Sequence, residues 1–169
     1  MAERLYRESI RFDLAHPEAF ANFAQPTADE LNNPDLVINV TCALTEDGTE
    51  FTLGDPDTDD SLSFCDAAGN QTATFQNPTV TFEAFLDEDR DADGLFNTVR
   101  ELIGFADLPY VAILRVGYDS DVAYAAGQRI NMVGVKTDLP VNVEESGTNA
   151  RIQNSFLNDG RVNWGYVVA

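Results

Sequence analysis

Positive charge is what this chain has least of. Ten Lys and Arg stand against 29 Asp and Glu in 169 residues, a formal net charge of −19. Every contact to a nucleic-acid phosphate needs a cation, so this composition excludes a protein that wraps DNA or RNA. It equally excludes one that lies on an anionic membrane surface. No run of about 18 uninterrupted apolar residues occurs, so no helix is expected to span a bilayer. Met1-Ala2-Glu3-Arg4 reaches Arg7, Glu8 and Arg11 before any apolar stretch, which leaves no hydrophobic core for a signal peptide. Two cysteines, Cys42 and Cys65, are too few for a disulfide framework. They are expected as reduced thiols, at least one in the core, in a chain that folds in a reducing cytoplasm; a single bridge between neighbouring strands is the alternative.

Catalytic equipment is also missing. His16 is the sole histidine and precedes Pro17 in an expected loop, so a Ser or Cys nucleophile has no evident oriented base. No G-x-S-x-G turn occurs, Gly127 and Gly134 are isolated rather than part of a phosphate loop, and no cysteine pair offers a zinc site. No enzyme activity, catalytic residue or cofactor is expected.

What the chain does have is apolar material, 44% of its residues, enough to bury a core in one domain. Its charge is unevenly placed. Residues 1–12 carry Arg4, Arg7 and Arg11 against Glu3 and Glu8, and read as an N-terminal arm. Residues 13–101 hold 20 acids against Arg90 and Arg100, and residues 102–169 are nearly balanced. Residues 13–169 read as a single β-domain.

Strand patterns dominate it. Leu36 to Leu44 alternates, with Leu36, Ile38, Val40, Cys42 and Leu44 on one face. Glu46-Asp47-Gly48 then turns toward Phe51 and Leu53 as a hairpin partner. Short strands follow around Leu62 to Phe64 and Thr72 to Phe75, and a longer one from Thr79 to Leu86. Tyr110 to Tyr118 is apolar except for Arg115, as in a strand buried on both faces, and Gln128 to Thr137 pairs naturally with it. Asn158-Asp159-Gly160 predicts a hairpin between Ala150–Leu157 and Arg161–Val168. One helix is predicted from Gly94 to Gly104, its stripe made by Leu95, Val99, Leu102 and Ile103, with Asp93 as N-cap. Weaker helical turns fall at Pro17–Phe23 and Ala28–Asn33. The sum is a mainly β fold, a β-sandwich or open barrel of about eight strands with one packed helix. Residues 12–35 and 45–60 are long irregular stretches, which suggests contact with a partner.

Two clusters carry possible chemistry. Asp89-Arg90-Asp91-Ala92-Asp93-Gly94 opens like a calcium loop, making Asp89, Asp91 and Asp93 candidate ligands. The twelfth position, which should supply a bidentate Glu, is Arg100, and Glu101 comes one residue late; the same carboxylates serve as helix-terminus partners. Asp55, Asp57, Asp59 and Asp60 form a second acidic cluster, read as a solvated loop. Trp164 and Tyr166, two apart, are either a sugar-stacking platform or packing aromatics.

Tyr110-Val111-Ala112-Ile113-Leu114-Arg115-Val116-Gly117-Tyr118, then Ala123-Tyr124-Ala125-Ala126-Gly127-Gln128-Arg129-Ile130, then Val133-Gly134-Val135-Lys136-Thr137-Asp138-Leu139-Pro140, followed by a closing strand pair, resembles the major tail tube proteins of long-tailed bacteriophages, particularly those infecting actinobacteria. The Asp-rich middle, the helix Leu95–Ile103 and the charged arm fit the same pattern. The resemblance implies a structural virion protein made in the host bacterial cytoplasm. Its subunits close into rings, usually hexameric, that stack into a hollow cylinder. One sheet per subunit would join its neighbours as an inner β-barrel through which DNA passes without specific binding. Partners are then other copies of the chain, a tape measure protein and tail-end proteins, with no membrane. Arg4, Arg7 and Arg11 become a ring-stacking arm, Asp55, Asp57, Asp59 and Asp60 inter-subunit loop candidates, and some of the carboxylates the lining of the bore. Two other readings remain open on the residues: an acidic monomeric β-sandwich that binds carbohydrate or protein, with calcium at Asp89, Asp91 and Asp93, and a phage capsid decoration or connector protein.

Overall fold

The computed structural model describes residues 9–59, 72–143 and 149–169. In chain order the strands are β1 (Ile10–Ala15), β2 (Val37–Asn39), β3 (Glu50–Leu53), β4 (Asp57–Asp59), β5 (Thr72–Phe75) and β6 (Pro78–Phe85). After the helix come β7 (Pro109–Val116), β8 (Arg129–Lys136), β9 (Val141–Val143), β10 (Arg151–Ser155) and β11 (Leu157–Val167). The helices are the single turn α1 (Ala28–Leu31) and α2 (Leu95–Ile103).

Two antiparallel sheets face each other. The first has five strands in the order β11-β8-β7-β1-β2, the second four in the order β3-β6-β10-β9, and β4–β5 form a separate two-stranded ladder. Alternation along β7 explains the layering. Tyr110 and Ala112 point into the space between the sheets, where Leu14, Phe82, Val133, Val135 and Ile152 meet them. Val111 and Ile113 point the other way, into a second core with Phe20, Leu31, Tyr124, Ile130 and Met132. Segments 16–36 and 118–128 roof that outer face. The central strands β7 and β8 are therefore buried on both faces, as the nearly unbroken apolar run of β7 predicts, while the edge strand β11 is largely exposed. Helix α2 closes the flank of the sandwich with Val99, Leu102 and Ile103, each such burial contributing about 1.5–3 kcal/mol.

Several elements differ from the sequence reading. The strand from Leu36 to Leu44 stops at Asn39 and continues as a 3-10 turn, Thr41–Ala43. Asn39 Oδ1 accepts from the Thr41 backbone N–H at 3.1 Å, and Thr41 Oγ1 accepts from Phe12 N–H at 2.8 Å, so local side-chain bonds replace the ladder. Cys42, expected on the apolar face, is exposed on this turn and forms no disulfide; Cys65 lies outside the described residues. β3 pairs with β6 rather than with β2. β1 begins at Ile10, so Arg11 and Phe12 belong to a strand and not to an arm.

The predicted hairpin at Asn158-Asp159-Gly160 is a bulge. β10 belongs to the four-stranded sheet and β11 to the five-stranded one, and the chain crosses between them at Phe156. Asn158 Oδ1 accepts from Gly160 N–H and Asp159 Oδ1 from Arg161 N–H, which makes the turn, with Gly160 at φ +91°. The strand resumes instead of reversing. The N-cap of α2 is Gly94, not Asp93, and no side chain caps it.

Candidate functional site

On the outer face of the five-stranded sheet, alternation brings Arg11, Asp13 and Arg115 into one buried group. Arg11 and Arg115 are direct cross-strand partners. Arg11 Nε donates to both oxygens of Asp13 (3.0 and 2.9 Å) and its Nη2 to Oδ1 (2.8 Å). Tyr124, hanging from the loop between β7 and β8, donates its hydroxyl to Asp13 Oδ2 at 2.5 Å. Arg115 is fully buried without a carboxylate of its own: it donates to Asp119 O (2.8 Å), Gln128 Oε1 (3.1 Å) and Ala123 O (3.3 Å). Three of these bonds, with that from Arg11 Nη1 to Val122 O, pin the loop down. Burial, with the Asp13 carboxylate beside it, pushes the Tyr124 phenol well above its ordinary pKa. This group is a structural clamp; nothing in it is open to a substrate.

The four-stranded sheet differs. Its inward face is core, while its other face carries Glu50, Thr52, Thr79, Thr81, Gln153 and Ser155 in exposed or half-buried positions. Glu83 on the same face is buried, accepting from Arg151 Nη1 at 2.8 Å and Thr45 Oγ1 at 2.9 Å. Strands β3 and β9 end this sheet, and Val141 of β9 is exposed. Among the described residues the most exposed of the large apolar side chains, Leu139 at 74% and Phe105 at 64%, lie near the end of β8. Asn154 ties that region together: buried, it donates to Ile103 O (2.8 Å) and Asp138 O (2.7 Å) and accepts from Asp138 N–H.

The sequence-predicted site residues scatter. Arg4, Arg7 and Asp60 lie outside the described residues. Arg11 is the buried partner of Asp13, a placement its spacing of two from Asp13 on one strand face makes intelligible. Asp55, Asp57 and Asp59 are exposed around β4, where Asn77 Nδ2 reaches Asp55 O and Asp57 Oδ1. Asp89, Asp91 and Asp93 are exposed; Asp89 Oδ1 accepts from Asp91 N–H, and Asn97 Nδ2 donates to the Asp89 and Ala92 carbonyls. Among the described residues, no three His, Cys, Asp or Glu side chains come together as a metal-holding group. Trp164 stacks on Phe51 with ring centroids 5.7 Å apart, while Tyr166, past the bulge at Gly165, packs against the outer core, so the two form no common platform. Among the described residues no helix is long and apolar enough to cross a membrane. Sequence reasoning missed the Arg11–Asp13–Arg115–Tyr124 group, although an Arg in the middle of an apolar strand was its signal.

No curated protein matches the chain. The family model for phage tail tube proteins, however, matches residues 3–169, nearly its whole length. The mainly β sandwich agrees with that match, and the chain belongs to the phage tail tube protein family, structural components of the virion tail.

Proposed function

We propose that copies of this chain close into rings, and that the rings stack into the hollow tube through which phage DNA reaches the host. The observation that carries this reading is the parity of the four-stranded sheet. Its strands alternate in direction, so β3 and β9, its edges among the described residues, run opposite ways. When identical sheets are set side by side around a ring axis, β9 of one copy meets β3 of the next in antiparallel register, and the alternation continues unbroken around the closed barrel. The five-stranded sheet offers the other outcome, since β2 and β11 run the same way and would meet in parallel. Closure also removes two edges that a lone sandwich would leave open to aggregation.

The wall facing the bore is then the free face of the four-stranded sheet. It presents the hydroxyls and amide of Thr52, Thr79, Thr81, Gln153 and Ser155, with the apolar Val141 and Val143 of β9 beside Gln153 and Arg151. Its charge is one net negative per copy, Glu50, because Arg151 balances Glu83. Such a wall holds no unpaired cation to grip phosphate and mildly repels it, so DNA slides. The denser carboxylates belong elsewhere: Asp55, Asp57 and Asp59 on the β4–β5 ladder, and Asp89, Asp91 and Asp93 before α2. A two-stranded ladder is marginal alone, and this one exposes Phe75, so it suits contact with an adjacent copy, with Asp60 beyond its described part.

Residues 1–9, with Arg4 and Arg7, act as the inter-ring arm, and residues 10–169 as the tube domain. The resemblance to long-tailed phages of actinobacteria supports a tape measure protein inside the bore, tail-end proteins at its termini, and no catalytic role. Negative-stain microscopy of the concentrated protein tests this: hollow rods are expected, and monomers that persist at every concentration would refute it.

A further inference from the structure

A groove of about 700 Å³ lies between the C-terminal end of β6, helix α2 and the 3-10 turn that follows β2. Its floor is apolar, with Phe85 and Phe96 packed edge to face at 6.4 Å beside Leu86. Its rim is acidic, with Asp87 and Glu88, and the exposed Cys42 lines one side. An apolar trough edged by carboxylates wants a segment whose apolar side chains are flanked by cations. The chain contains one, outside the described residues: Arg4-Leu5-Tyr6-Arg7, with Glu3 and Glu8 outside that tetrapeptide.

We infer that this groove seats residues 4–7 of a neighbouring copy, Leu5 and Tyr6 on the aromatic floor and Arg4 and Arg7 against Asp87 and Glu88. The inference rests on the tube reading and gives its arm a receptor. Strand β1 carries the chain outward past the end of β7, where Ser9 O accepts from Gly117 N–H at 2.8 Å, and the groove's Cys42 follows Thr41, which is bonded to Phe12 of the same strand. From Ser9 the extended chain carries Arg7 at most about 7 Å and Arg4 about 17–18 Å, so the neighbour's groove has to lie directly beside the start of β1. The contact is heterologous, arm to groove, and so propagates instead of closing on a pair.

Cys42 provides the test. In a Cys65→Ser background, Tyr6→Cys tubes treated with a short bismaleimide are expected to give dimers and a ladder of higher species on denaturing gels, lost with Cys42→Ser. Tubes without crosslinks overturn the assignment, and so does a crosslinked band at monomer mass, which would mean that each arm fills its own groove. If Tyr6→Cys disturbs assembly, the Cys65→Ser protein alone decides. Maleimide labelling of Cys42 is expected to be at least about tenfold slower in tubes than in subunits, and to recover when residues 1–8 are removed; equal rates overturn the groove. Failure of the parent protein to form rods at all sinks the tube reading itself, whereas rods with an open Cys42 sink only this contact.

Discussion

Arg11 and Arg115 stand directly opposite each other on β1 and β7, and each guanidinium lies 4.7 Å from the centre of the Tyr124 ring. Two like charges in register destabilise a sheet, and here both are buried. Asp13 supplies one countercharge, the Tyr124 ring gives both cations a π face, and three backbone carbonyls with Gln128 Oε1 accept the other bonds described above. The sandwich thereby anchors the long β7–β8 loop to the outer face of its five-stranded sheet and leaves the other sheet free to face partners.

Tyr124→Phe removes the hydroxyl that Asp13 accepts from and is expected to cost about 1–3 kcal/mol in thermal or denaturant unfolding of the subunit. The pH dependence has a definite sign. Below the ordinary phenol pKa of 10.0 the group is protonated in both folded and unfolded chains. Above it the unfolded chain releases the proton that the folded one keeps, so stability falls as pH rises. Phenolate absorbance should show one tyrosine that titrates only on unfolding, and the alkaline loss should be shallower in the Phe variant.

A Cβ at Gly134 would overlap the Asp159 carboxylate of the bulge, the far end of a side chain that can swing aside. Gly134→Ala should cost under about 1 kcal/mol, by displacing that carboxylate from Arg161. Asp159→Ala alone should cost under about 1 kcal/mol, since this ion pair is partly solvated. The double variant should cost no more than Asp159→Ala alone, so that a double-mutant cycle returns the Gly134→Ala cost as coupling.

Leu139→Asp puts a charge on the most exposed large apolar side chain among the described residues. Folding should be unaffected within about 0.5 kcal/mol, while the concentration needed to form rods in a sedimentation assay rises at least about tenfold.

The acidic loop before α2 is held by Asn97 and by its own backbone. Asp91→Asn with Asp93→Asn should leave melting unchanged, and millimolar calcium should not shift the melting temperature of either protein; a calcium-dependent rise would restore the loop as a metal site.

Much of the architecture is legible in the sequence where periodicity and burial agree, as in β6, α2, β7 and β8. It fails where polar side chains act locally. Asn39 and Thr41 end β2 by bonding the backbone, and nothing in the alternation from Leu36 to Leu44 shows that. Asn158-Asp159-Gly160 is a true turn signal, but whether a turn reverses a strand or bulges it depends on which sheet takes each flank. The capping box of α1, with Thr27 and Glu30 bonding each other's backbone, was readable as T-x-x-E and would have sharpened a weak helix. Free edges, and the sheet face left uncovered, are properties of the assembled layers and are absent from any single segment.

The account stands or falls on which sheet closes the ring. Cryo-electron microscopy of the assembled tube should show β9 of each copy paired antiparallel with β3 of the next, and Thr52, Thr79, Thr81 and Ser155 facing the bore. A wall built from the five-stranded sheet, or subunits joined with β3 and β9 unpaired, would contradict it.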